Sequence, residues 1–153
     1  MPHHPRISSD QFAQGLFRPH GRAELWAEGK VIYLQAVGPF NMEAVAAIGG
    51  AWRQLFAEGP AAEAFADIVL VSNSMLAGPE VMAAFGQFLL ANSAAGIAPM
   101  AVAWVVPPEV EGATIMIPQF RRTYEMAGRN IAFFEREAEA EAWVRQQLQQ
   151  PAG

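Results

Sequence analysis

Two short runs, Asp67-Ile68-Val69-Leu70-Val71 and Met100-Ala101-Val102-Ala103-Trp104-Val105-Val106, are apolar or nearly so from end to end. Neither alternates apolar with polar residues. A strand of that kind has to be covered on both faces, which is the situation of a central parallel strand. Each run ends at turn formers, Ser72-Asn73-Ser74 in one case and Pro107-Pro108 in the other, and a segment of helical length follows. Strands that alternate with helices imply parallel pairing and an α/β layer structure.

The rest of the chain fits around those runs. In AELWAEGKVIYLQAVG, the residues Leu25, Trp26, Val31, Tyr33 and Leu34 favour strand, and Glu28-Gly29-Lys30 breaks the run as a hairpin turn does. Two antiparallel strands are expected, near 22–28 and 30–37. Asn41 is an N-cap, with Glu43 in the first helical turn. Val45, Ile48, Trp52, Leu55 and Phe56 then recur at helical spacing. Gly49-Gly50 interrupts this helix at about 1 kcal/mol per glycine, a cost that close packing against another backbone would explain.

A second helix starts at Pro79, buries Val81, Met82, Phe85, Phe88 and Leu89, and ends near Gly96. A third lies within 109–127 and is clearest from Pro118 onward. Asn130-Ile131-Ala132-Phe133-Phe134 is a further strand, and a last helix runs from Glu135 to Gln150. The expected order is β, β, α, β, α, β, α, β, α. Right-handed crossovers place the helices on the sheet faces. The chain of 153 residues reads as one domain over 21–150, preceded by a polar, proline-bearing arm over 1–20 with a short helical turn near Gln11–Phe17.

Composition narrows the function. Net charge is −5 and the ten basic residues form no stripe, which argues against nucleic acid and against an anionic membrane surface. No window is long and apolar enough for a membrane span, and the first residues lack the apolar core of a signal peptide. There is no cysteine, so disulfides, zinc-thiolate sites and thiol nucleophiles are excluded; the expected compartment is the cytoplasm. Hydrophobic residues make up 52% and charged residues only 16%, so part of the surface is expected to be apolar and to serve a homodimer or partner face.

Catalytic constellations are missing from the pattern. Ser74 has Ser72 and Leu76 where a nucleophile elbow requires glycines. His3, His4 and His20 all lie in the arm and none in the folded body, where a Ser-His-Asp triad would need a held imidazole. No phosphate-cradling glycine motif occurs, and no cofactor is implied. Glu135, Glu137, Glu139 and Glu141 alternate at spacing two, read as a dipole-matched, solvated helix start rather than a metal site. Asp67 reads as a turn residue. Arg121-Arg122 is the one adjacent basic pair outside the arm, read as a solvated face with an acidic partner as the alternative. The four tryptophans, one per element, suit a core or an interface.

Three strings carry a resemblance: the opening hairpin, VGPFNMEAV leading into the first helix, and YEMAGRNIAFFEREAEAEAWV at the end. From about Ala23 to Leu148 the chain resembles the STAS-like proteins, specifically the SpoIIAA-like family. The resemblance implies a mixed four- to five-stranded sheet with an N-terminal antiparallel hairpin, then alternating helices and parallel strands. It also implies a non-enzymatic domain that binds partner proteins. Regulatory STAS domains carry a D-S-S-G-like segment at the start of the helix after the third strand, where one serine is phosphorylated. A helix N-terminus favours that added charge.

The corresponding segment here is Leu76-Ala77-Gly78-Pro79-Glu80, with neither the aspartate nor the serine pair. Ser72 and Ser74 lie a few residues earlier. The expectation is an interaction module without the usual phosphoswitch, its face formed by residues 72–80 and the helix after them. Ser72, Asn73, Ser74, Met75, Met82, Phe85, Arg121 and Arg122 are the candidate contact residues. The same fold looks similar to lipid-transfer domains of the CRAL-TRIO kind. The alternative is therefore a domain that holds a small apolar ligand against Met75, Met82, Phe85, Met116 and Phe120.

Overall fold

Strand alternation divides the molecule. Along β4 (Ala66–Ser72), Asp67, Val69 and Val71 face one side of the sheet while Ala66, Ile68 and Leu70 face the other, and nearly all of them are buried. The computed structural model describes residues 5–12, 21–59, 61 and 63–150. Among these, six strands form one sheet in the order of the chain. They are β1 (Ile7–Ser8), β2 (Arg22–Glu28), β3 (Val31–Val37), β4, β5 (Ala101–Val105) and β6 (Ile131–Phe134). The first three are antiparallel and the rest parallel.

The β2–β3 hairpin turns on two residues. Gly29 takes φ 59° at the first of them, a conformation that a tight hairpin turn needs and glycine supplies without strain. The next three helices are α1 (Met42–Leu55), α2 (Pro79–Ala94) and α3 (Ala113–Met126). Their buried residues belong to one cluster on one face of the sheet, and α4 (Glu137–Gln149) covers the other face with Ala140 and Val144. This is a mixed α/β sheet with an antiparallel N-terminal hairpin and parallel strands after it, as expected, but with six strands among the described residues in place of four to five, because Ile7–Ser8 adds an edge.

Local chemistry sets the helix ends. The Asn41 side chain accepts the Ala44 N–H at 2.9 Å. Pro79 opens α2. Gly96, at φ 73°, closes it in a Schellman motif, with Gly96 N–H donating to Ser93 O and Ile97 N–H to Asn92 O.

Several expectations need correction. Within the span read as a loose arm, Ile7–Ser8 pairs with β2, and Ser9–Phe12 forms a 3-10 turn against α1. The remainder of the turn expected to Phe17, and the three histidines, lie outside the described residues. The Gly49-Gly50 pair is crowded by side chains, not by a backbone. A Cβ on Gly50 would stand 2.8 Å from the Phe12 ring, and one on Gly49 would stand 3.3 Å from the Arg53 guanidinium and 3.5 Å from Phe88. Helix α3 begins five residues before Pro118, which lies inside it on the exposed side. Its start is set instead by Gly112, at φ 82°, whose carbonyl accepts the Met116 N–H. Asp67 is no turn residue: it lies within β4, paired with Ile32 and Val102.

Candidate functional site

The loop from Ser72 to Gly78 leaves the C-terminal end of β4 and feeds α2. It is tied down on both flanks. Glu111 N–H donates to Asn73 O and Met75 N–H to Glu111 O, both at 3.0 Å. On the other flank Phe40 N–H donates to Leu76 O at 3.0 Å, and the Asn73 amide donates to Gly38 O at 2.6 Å. Asn73 holds φ 67°, a left-handed conformation that asparagine tolerates better than most residues.

This bracing sorts the serines. Ser74 is 1% exposed, and its Oγ accepts the Leu76 N–H at 3.2 Å, so its hydroxyl serves the turn. Ser72 and Asn73 are exposed, as are Gly78, Pro79 and Glu80 at the start of α2. Met75 is fully buried and acts as core. Gly78 provides no side-chain cap, and Glu80 already sets a negative charge in the first turn. Arg121 and Arg122 belong to another place. The Arg121 guanidinium lies 5.0 Å over the Phe133 ring at the β6 edge, with Arg122 exposed beside it.

Beneath α1 and α2 the packing is incomplete. A cavity of about 70 Å³ lies against the sheet, and Met82, Phe85 and Phe120 line it as the ligand reading expects. Met75 and Met116 do not line it; both fill the core.

One end of this cavity is polar, and sequence reasoning missed it. Asp67 from β4, Asn92 from α2, Tyr124 from α3 and Arg129 from the turn before β6 all reach its wall, and all are buried. Trp104 Nε1 donates to Tyr124 Oη at 3.0 Å, and Arg129 Nη2 donates to Leu89 O at 2.6 Å. Asp67 Oδ1 and Arg129 Nε have no hydrogen-bond partner among the described residues. Burial pushes the Asp67 carboxyl well above the usual carboxylate range, against a smaller opposing pull from the Arg129 charge. Burial likewise lowers Arg129 from its ordinary value and raises the Tyr124 phenol. The available signal was parity: Asp67 shares its strand face with Val69 and Val71.

On the opposite face the acidic start of α4 is more convergent than its spacing of two suggests. Glu137 and Glu141 are one turn apart; Tyr33 Oη donates to Glu141 at 3.2 Å, and a hydrogen bond to Glu141 that favours protonated Glu137 raises it from its ordinary value.

The architecture defines an STAS-like fold. The chain is similar in fold to an anti-sigma factor antagonist from Mycobacterium paratuberculosis, whose crystal structure superposes with a TM-score of 0.50 at 14% identity, over 82% of this chain and 94% of that one. No family model and no curated protein matches the chain. Among the described residues, no helix is long and apolar enough to cross a membrane.

Proposed function

We propose that the protein is a non-catalytic interaction module that docks a partner protein through the exposed rim of residues 72–80 and the start of α2, without phosphorylation of that loop. The observation that carries this reading is the braced loop. Its backbone is fixed from both sides, its one buried serine is consumed by the turn, and Ser72, Asn73, Gly78, Pro79 and Glu80 are presented to solvent. Pre-ordering lowers the entropy cost of binding. The STAS-like fold, in which the same position is a contact site of regulatory members, supports it.

Site-specific photo-crosslinking in cells tests the reading, with the probe placed at Ala83 on exposed α2 and, as a contrast, at Gln146 on exposed α4. A discrete protein adduct from Ala83, lost on Glu80→Arg, is the expected result. An adduct from Gln146 alone would move the docking face to α4. Native mass spectrometry then tells a second copy of the chain from a different partner.

The cavity favours a second reading, a domain that binds a small apolar ligand. At about 70 Å³ it is far below the roughly 300–1,000 Å³ of a drug-sized pocket, so a lipid chain does not fit without displacement of α1 or α2.

A further inference from the structure

We propose that the cavity between the sheet and helices α1 and α2 is a binding site for a short-chain monocarboxylate, its head between Asp67 and Arg129 and its tail against Val69, Met82 and Phe85. This inference rests on the second, ligand-binding reading above and is independent of the docking loop.

Two unpartnered atoms come first. Asp67 is 6% exposed and Arg129 9%, both reach the cavity wall, and Asp67 Oδ1 and Arg129 Nε lack partners among the described residues. Buried polar atoms are nearly always paired, so an orphaned pair on one cavity marks a place where something polar binds. No ion pair joins Asp67 to Arg129, although each feels the other's charge.

The polarity of that end selects the head group. Arg129 Nε–H can only donate. The Tyr124 oxygen is taken by Trp104, so its remaining capacity includes its own proton. Asn92 adds an amide. Burial favours the protonated Asp67 carboxyl, which then also donates. A set of donors calls for an acceptor with more than one oxygen, and a carboxylate fits. A neutral alcohol offers a single oxygen. An amine would place its positive charge against Arg129.

The rest of the wall selects the tail. Leu34, Val69, Met82, Phe85 and Phe88 offer only apolar atoms. The 70 Å³ volume is about half the roughly 150 Å³ of an engineered cavity that accepts benzene, which limits the ligand to one smaller than benzene, about the size of acetate or propionate.

Methyl NMR titration of the full chain tests this, with acetate, propionate, hexanoate, 1-propanol and propylamine at matched ionic strength. Propionate is expected to saturate with Kd of about 1 mM or tighter, shifting the Val69 and Met82 methyls. It should bind about tenfold tighter than propanol or propylamine. Arg129→Gln should weaken propionate by about tenfold, while Asp67→Asn, which keeps a donor in place, should stay within about threefold. If Arg129→Gln does not fold, Ala36→Val decides: it narrows the cavity, and unchanged propionate binding would overturn the site. Equal binding of propanol would sink the carboxylate head but leave a ligand site standing. No saturable binding of any probe would remove both.

Discussion

The two faces of the sheet are built on opposite terms. On the α4 side, the buried residues Ala66, Ile68, Ala101, Ala103 and Val105 meet Ala140 and Val144, all of them small or mid-sized, with the larger rings Tyr33, Phe134 and Trp143 only partly buried around them. On the other side, helix and sheet both bring large rings: Trp52, Phe56, Phe65, Phe85, Phe88, Trp104, Phe120 and Tyr124 touch one another in a continuous chain. Small side chains pack to density at close approach. Among the large rings the packing leaves a space, which is where the cavity and its buried polar groups are found. The side with one helix is therefore the tighter layer, and the side with three has room for function.

The largest effect that would test this contrast is expected from Trp52→Ala. Trp52 is 2% exposed, joins α1 to Phe56, Phe65 and Phe88, and donates Nε1–H to Ile97 O at 3.1 Å. Loss of about 4 kcal/mol is expected in urea unfolding. A loss under about 2 kcal/mol would mean the aromatic layer collapses around the gap and is less rigid than its ring contacts suggest.

Val144→Ala probes the α4 layer. Two buried carbons are removed from a residue 1% exposed, so about 2 kcal/mol is expected, with no relief from a pre-existing space. An effect near zero would show that α4 is loosely docked, and the contrast between the faces would fail.

Asp67→Asn comes next and is read through pH. The folded protein holds this carboxyl well above its ordinary value through burial. Its contribution to stability is thus full below the unfolded-state pKa and is lost as pH rises through the higher folded-state pKa. The asparagine variant should lack that decline and be the more stable form at neutral pH. Parallel urea titrations across acidic to neutral pH would show converging curves at the acid end. Curves that run parallel throughout would place Asp67 in a solvated setting.

Glu137→Gln is the smallest. Glu137 is also raised, first by its hydrogen bond with Glu141, so the same sign applies: the native pair is favoured at low pH and strained above its folded-state pKa. Removing one charge of this one-turn pair should add about 0.3 kcal/mol at neutral pH and nothing in acid. Thermal melts at the two pH values resolve this difference, and destabilisation at neutral pH would count against it.

Much of the architecture was legible because it is written in local chemistry. The hairpin at Gly29, the Asn41 cap, Pro79 at the start of α2 and Gly96 at its end each concern residues within a few positions of one another. The candidate site was legible only in part. The loop at 72–80 was found from its turn residues, but the inward orientation of Ser74 depends on a loop strapped to Gly38, Phe40 and Glu111, far away in the chain. The convergence of Glu137, Glu141 and Tyr33 likewise joins α4 to β3.

By itself the sequence determined the alternation of strands and helices, the buried character of β4 and β5, and the absence of thiol chemistry, since these follow from periodicity, propensity and residue type. Only the tertiary structure decided that Asp67, Asn92, Tyr124 and Arg129, contributed by four separate segments, surround one internal space. Desolvation is a property of everything packed around a group, and no short stretch of chain carries it.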